Sequence, residues 1–357
     1  MIEITKLSAS HEENYEDLLQ ACPWAMVYHS LVYRNFLKEF LPGAVEDYYF
    51  LALENDKVIG ALPCFLVDGP LGIVLNSLPF FGSHGSVLLR PGVDSEAVTA
   101  LVDALMGMCR ERNVVFCTVI ETPYYSSENV LKHKMGFQYK DQRIGQFTSL
   151  PDTDSVEQVG NKLLAMYHQK TRNIVRKALR GPLVFSHESG RQALDALYAL
   201  HKNNLIGIGG IAKPQSFFTS ITNQLKYDRD YRIYTARTNN GEIVCALMLL
   251  YFKETVEYFV PATDEGWRSA QPLSGLIYLA MRDAVLERGA RNWNWGGTWL
   301  TQNSVFHFKS RWGTLNQPYF YYTRVFSDTK RLQDVNRQAL LRDYPWFYTI
   351  PFSVLEK

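Results

Sequence analysis

Between Glu157 and Glu188 the chain carries no acidic residue, yet it carries Lys162, Lys170, Arg172, Arg176, Lys177 and Arg180. Arg172, Arg176 and Arg180 recur every four residues, so a helix stacks them on one face. Like charges stacked this way repel until something anionic neutralises them, which points to a grip on phosphate. The alternative is a solvated face with no ligand. A second cationic pair, Lys309 and Arg311, lies in "FHFKSRWG", just after the paired glycines Gly296–Gly297 of "NWNWGGT". Glycine there lets a ligand or another backbone approach closely, although a structural bulge explains it as well. In "FFGSHGS", Phe81 and Gly82 open a loop in which Gly82 and Gly85 can turn backbone N–H groups toward an anion, or simply form a tight hairpin.

Other chemistries find no support. There is no GxxxxGK[ST], HExxH or GxSxG motif. The eight histidines show no helical ligand pairing, so no metal is expected. "GIGG" before Lys213 lacks the spacing and the preceding strand of a dinucleotide fingerprint, and reads as a loop over a cleft. A net charge of +1 argues against a broad DNA-binding surface, so any contact with a nucleic acid, such as a tRNA 3′ end, must be local. Five scattered cysteines without a CxxC pair suit a reducing compartment. No apolar run approaches the roughly 18 residues that span a bilayer. An acidic start replaces the basic region of a signal peptide. A cytoplasmic location without a transmembrane segment is the expectation.

The elements that must position these residues occur twice. Strand–turn–strand segments at 48–67 and 231–251 are each followed by a strand running into a polar loop, at 72–89 and 255–272. Helices follow at 95–113 and 273–291, with apolar stripes Val98, Leu101, Val102, Leu105, Met108 and Leu276, Leu279, Ala280, Ala284, Leu286. Next come the short strands "VVFCTVIE" and "NWNWGGT". The segments 131–150 and 308–325 close the two units, with Lys132 and Gly136 matching Lys309 and Gly313. The pattern predicts two similar α/β domains, at 1–150 and 151–330, each a mixed, mostly antiparallel sheet flanked by helices, with an extension at 331–357. "SLPDTDSV" is the natural linker.

This order resembles the GNAT acyltransferase fold, and its doubling resembles the FemAB-like branch. "NSLPFFGSHGSVLL", "YHQKTRNIVRKALRGPLVF", "NNLIGIGGIAKPQSFFTSI" and the "GGT…FKSRWG" stretch resemble, in order, segments of that branch over roughly residues 25–325. The resemblance implies transfer of an acyl group from acyl-CoA, another thioester or aminoacyl-tRNA to a primary amine. The acceptor would be a small-molecule or lipid-linked amine, such as a cell-envelope or sugar precursor. It also implies that Lys309 contacts phosphate or the developing oxyanion. A general base is sought in Asp264 or Glu257, which flank the strand where GNAT sheets splay, with Tyr258 and His307 as further candidates. "RSAQPLSG" occupies the place of the CoA pyrophosphate loop, keeping Arg268, Ser274 and Gly275 but lacking the glycines between. Two departures stand out. Asn294 holds the position where bridge-forming relatives often carry Asp in "DFGG", and no heptad segment supplies a coiled-coil arm. A non-catalytic binder of an anionic ligand is the rival class.

Overall fold

The computed structural model describes residues 2–80, 83–207, 210–326, 336–351 and 354. Its first strands are β1 (Glu3–Lys6), β2 (Val45–Glu54), β3 (Lys57–Gly69), β4 (Gly72–Ser77), β5 (Leu88–Leu89), β6 (Val114–Ile120) and β7 (Tyr139–Ser149). With them come α1 (Glu12–Ala21), α2 (Leu31–Phe40), α3 (Ser95–Glu111) and the short α4 (Glu128–Val130). The second half brings α5 (Val156–Met166), α6 (Gln169–Leu179), β8 (Val184–Glu188), α7 (Arg191–Ile206), α8 (Gln215–Gln224), β9 (Tyr231–Arg237), β10 (Ile243–Phe252) and β11 (Thr255–Thr263). It ends with α9 (Pro272–Arg288), β12 (Asn292–Trp299), α10 (Asn303–Ser310), β13 (Leu315–Val325) and α11 (Arg337–Asp343).

Two compact units result: Met1–Arg143 with Pro318–Lys357, and Ile144–Gln317. The linear boundaries expected at 150 and 330 give way to this division because the chain changes unit within a strand. It leaves the first unit inside β7 and returns to it inside β13.

In the first unit the strand order is β1-β2-β3-β4-β6-β13, with β5 beside β3. Neighbours pair antiparallel except β4 and β6, which run parallel because α3 crosses between them. Leu101, Val102 and Leu105 of α3 are fully buried against this sheet, together with Leu62, Cys64 and Cys117. The second unit repeats the plan as β7-β12-β11-β10-β9-β8, with the parallel pair β11–β12 bridged by α9. Leu276, Ala280 and Ala284 of α9 meet Leu247 and Leu249 of β10 in its core. In both units the apolar spacing of the crossover helix is what seats it on the sheet.

Candidate functional site

Parallel strands β11 and β12 begin together and then part. Their pairing is confined to Thr255↔Asn292, Val256↔Trp293 and Glu257↔Asn294, although the strands continue to Thr263 and Trp299. On its other side β11 stays with β10, where the register skips at Phe259: Leu249 faces Tyr258 while Met248 faces Val260. The extra residue is a β-bulge that increases local twist and turns β11 away from β12.

A buried polar couple marks the fork. Asn294 Nδ2 donates to Glu257 Oε2 at 2.7 Å, and Asn294 Oδ1 accepts the Gly296 N–H at 2.8 Å. Glu257 is 2% and Asn294 0% exposed, so neither side chain points to solvent. Gly296 has φ of +71° with open space where a Cβ would stand, so its conformation, not crowding, demands glycine.

Lys309 is buried in α10 and is tied to the diverging end of β12. Its ammonium donates to Thr298 Oγ1 at 2.9 Å, to the Gly297 carbonyl at 3.3 Å and to the Gly296 carbonyl at 3.4 Å. Thr298 Oγ1 in turn donates to Gln146 Oε1 at 3.3 Å. Three acceptors match the three ammonium donors. Burial lowers the amine to about 8. Lys309 thus splints the Gly-Gly-Thr backbone. The tryptophans are the wall behind it: Trp293, Trp295 and Trp312 are buried, and Trp295 Nε1 donates to Thr148 Oγ1 at 2.9 Å. Tyr258, first residue beyond the fork on β11, sits 4.9 Å from the Trp295 ring, and burial raises its phenol.

The basic helix is real, and its cations divide. Thr171, Val175 and Ala178 face the core. Arg172 folds back onto the Tyr167 carbonyl at 3.2 Å. Arg176, Lys177 and Arg180 instead line an open concavity of about 920 Å³ with Asn173, Gly181, Pro182, Ser269 and Ala270. Lys177 Nζ donates to the Ser269 carbonyl at 2.9 Å, joining α6 to the turn Glu265–Ala270 that links β11 to α9. The concavity therefore lies in the connection that leaves the free end of β11. Lys170 is exposed at the start of α6. Arg311 is exposed as well, its carbonyl accepting the His168 N–H at 2.9 Å.

Several expected residues have structural duties. Asp264 caps the turn after β11, its Oδ1 accepting the Gly266 N–H at 2.8 Å. Arg268 is exposed and reaches Glu265 at 3.5 Å. Ser274 is buried in the first turn of α9. Gly275 lacks room for a side chain: a Cβ would stand 2.7 Å from the Phe185 ring and 3.3 Å from Ala178. It lets α9 pass close to α6 and β8, which is a packing role. His307 is exposed on α10. Phe81 and Gly82 lie outside the described residues, and their neighbour Gly85 spends its N–H on the Ile120 carbonyl. Sequence reasoning missed Asn204 of α7. Its amide pairs with both the N–H (3.0 Å) and the carbonyl (2.8 Å) of Thr263. An asparagine inside an amphipathic helix carries no signal of that task.

Among the described residues no group of three or more His, Cys, Asp or Glu side chains is placed to hold a metal ion. Nor is any helix there long and apolar enough to cross a membrane.

Comparison with known proteins agrees with this geometry. Residues 166–309 match the model of the acetyltransferase (GNAT) domain family. Among solved structures the chain is similar to FemX, at 14% identity and a TM-score of 0.71 over 89% of this chain and 96% of that one. It is similar to a tandem GNAT protein from the clavulanic acid biosynthesis pathway, at 14% identity and TM-score 0.57, over 92% and 99% of the two chains. It is also similar to L-PGS from Bacillus licheniformis, at 13% identity and TM-score 0.55, over 90% and 94%. No curated protein matches the sequence. Residues 166–309 thus resemble a GNAT acetyltransferase domain, a domain of the acyltransferase class. The whole chain shares its fold with FemX and with the tandem GNAT protein, the tandem arrangement expected for the FemAB-like branch.

Proposed function

We propose that the protein is an N-acyltransferase that joins an acyl or aminoacyl group, from a phosphate-bearing activated donor, to a primary amine. The observation that carries this reading is the fork. The parting of β11 and β12 beyond Glu257–Asn294 leaves a strand edge with a buried polar couple at its base. The basic concavity stands in the connection that follows that edge. Arg176, Lys177 and Arg180 suit the phosphates common to acyl-CoA and to the 3′ end of aminoacyl-tRNA. The carbonyl would then lie along the fork.

In the reaction the amine nitrogen attacks the donor carbonyl, a tetrahedral oxyanion forms, and the thiol or ribose oxygen departs with the pair of electrons from the broken bond. The proton lost by the nitrogen ends on the leaving group or on solvent. Alignment supplies much of the acceleration. Glu257 is the buried carboxylate at the fork and is assigned the proton-accepting role. Asp264, occupied as a cap, is the weaker candidate. The Gly296 and Gly297 peptides, splinted by Lys309, hold the opposite lip, which keeps Lys309 next to the transferring group without exposing its charge. Arg268 and Arg311, exposed, and Lys170 extend the positive field toward a larger donor. A small or lipid-linked amine of the cell envelope, met on the cytoplasmic side, is the proposed acceptor class.

The test is transfer itself. Radiolabelled acetyl-CoA and labelled aminoacyl-tRNA are offered separately with a lysine-containing muramyl-peptide precursor, and amide-bound label is counted. Label in the amide with one donor, lost in Glu257→Gln, supports the reading. Binding of both donors without any amide product would leave the anion binder as the answer.

A further inference from the structure

The free edge of β11 has a property that bears on which donors the fork accepts, and it rests on the reading just given. Beyond Glu257 the peptide groups of β11 alternate between β10 and the opening. Asp264 N–H donates to the Val244 carbonyl of β10, and the register sets Ala262 opposite Ala246 and Val260 opposite Met248. The groups of Pro261 and Thr263 consequently face the side that β12 has vacated. An extended arm with two secondary amides, such as the pantetheine of coenzyme A, would bind an open edge of this kind as an added strand.

Both rungs are already closed to it. Pro261 has no N–H to donate. The Thr263 N–H is accepted by Asn204 Oδ1 at 3.0 Å and the Thr263 carbonyl receives Asn204 Nδ2 at 2.8 Å, so a side-chain amide on α7 occupies the rung an arm would use. Only the Pro261 carbonyl remains as a partner on these two residues. We propose that Asn204 and Pro261 are specificity-determining residues which close the β11 edge to strand-like pairing, so that a donor is held by its phosphates at Arg176, Lys177 and Arg180 and not by an extended amide arm. Donors whose acyl group sits directly on the nucleotide are favoured over those that carry it on a long diamide tether.

Calorimetric titration with three probes tests this: coenzyme A, adenosine 3′,5′-bisphosphate and pantetheine. The native protein should bind coenzyme A and the bisphosphate with affinities within about threefold and show no heat with pantetheine, because an unmade pair of hydrogen bonds adds nothing. The double variant Asn204→Ala/Pro261→Ala, which frees Thr263 and restores an N–H at 261, should acquire pantetheine binding. It should also bind coenzyme A about tenfold more tightly, with the bisphosphate unchanged. Native affinity for coenzyme A about tenfold or more above that for the bisphosphate would overturn the proposal. If neither nucleotide binds, the phosphate reading of the concavity falls, and pantetheine alone then decides the edge. Gain by the variant upholds it, and a folded variant with no gain sinks it. Should the double variant not fold, Pro261→Ala alone carries the same comparison, and faster amide exchange at Thr263 in Asn204→Ala reports the rung directly.

Discussion

At the scale of single residues, Asn294 shows why a type that cannot act as a base stands at the fork. Its amide both donates to Glu257 and accepts from Gly296, two opposite demands that an ionised carboxylate, an acceptor only, does not meet. Asn294→Asp would place a second carboxylate 2.7 Å from Glu257 in a site without solvent. The expected cost is about 2–4 kcal/mol of stability at neutral pH, shrinking in acid as one carboxyl takes a proton; urea unfolding at two pH values reads it. Lys309 carries a different signature. Its amine is lowered from 10.5 to about 8 on folding, so between these values the unfolded chain holds the proton more firmly. Stability therefore rises with pH across that window, by up to about 3 kcal/mol, as the buried charge is discharged. Lys309→Met should lack this rise, and the difference between the two unfolding curves from pH 7.5 to 10 measures it. Reversal to Glu would set a carboxylate against three acceptors, so loss of fold as well as of transfer is the expected result.

At the scale of elements, α6 separates what the sequence made legible from what it did not. The absence of acids from 158 to 187 and the four-residue spacing of arginines identified the helix and its charge, because both are local properties. That Arg172 turns back to Tyr167 while Arg176 and Arg180 face Ser269 depends on a turn almost a hundred residues away, and no local pattern encodes it. The same holds for the fork. Doubled glycines and a strand were visible in "NWNWGG", but the bulge at Phe259 and the clamp by Asn204 arise from tertiary pairing. Asp264 and Gly275 drew attention for family reasons, and in the structure they serve a cap and a close helix crossing. For α6 the consequence is testable. Arg176→Ala/Arg180→Ala leaves the buried face of the helix intact, so its melting temperature should stay within about 2 °C of native. Affinity for a phosphate-bearing donor should fall about 10–100-fold, and the salt dependence of binding should flatten. Gly275→Ala is the opposite case. It forces a Cβ to within 2.7 Å of the Phe185 ring, and should cost about 1–3 kcal/mol with donor affinity per folded molecule little changed.

At the scale of the whole molecule the two units share one plan but not one opening. In the first unit β4 and β6 stay paired from Ile73↔Val114 to Ser77↔Val119, the end of β4. The loop beyond them is packed in: Ser83, His84 and Ser86 are buried, and a Cβ on Gly85 would fall 1.9 Å from the Ser77 carbonyl. Residues 344–348 lie on the same strand, with Tyr344 hydroxyl donating to the Gly72 carbonyl and Tyr348 N–H to Asn76 Oδ1. Duplication was legible in the order of elements, whereas the filling of one copy was not, since it is made by long-range contacts. Filling with polar groups leaves a titration record. His29 donates to the Gly85 carbonyl and His84 to the Glu121 carbonyl, and burial lowers both imidazoles to about 4; His201 of the second unit is lowered likewise. Against them, burial raises the Glu121 carboxyl to about 7. Between about pH 4.5 and 6.5 the unfolded chain thus takes protons on three histidines that the folded chain refuses, while the folded chain keeps one proton on Glu121 that the unfolded chain releases. The balance is excess proton uptake by the unfolded state, so stability falls as the medium is acidified through this window. The slope of unfolding free energy from pH 7 to 5 should be positive with pH in the native protein. It should steepen in Glu121→Gln, which removes the one opposing group, and flatten in His201→Gln, which removes one of the three. A native slope that is flat or reversed would show that these imidazoles are not held neutral by burial.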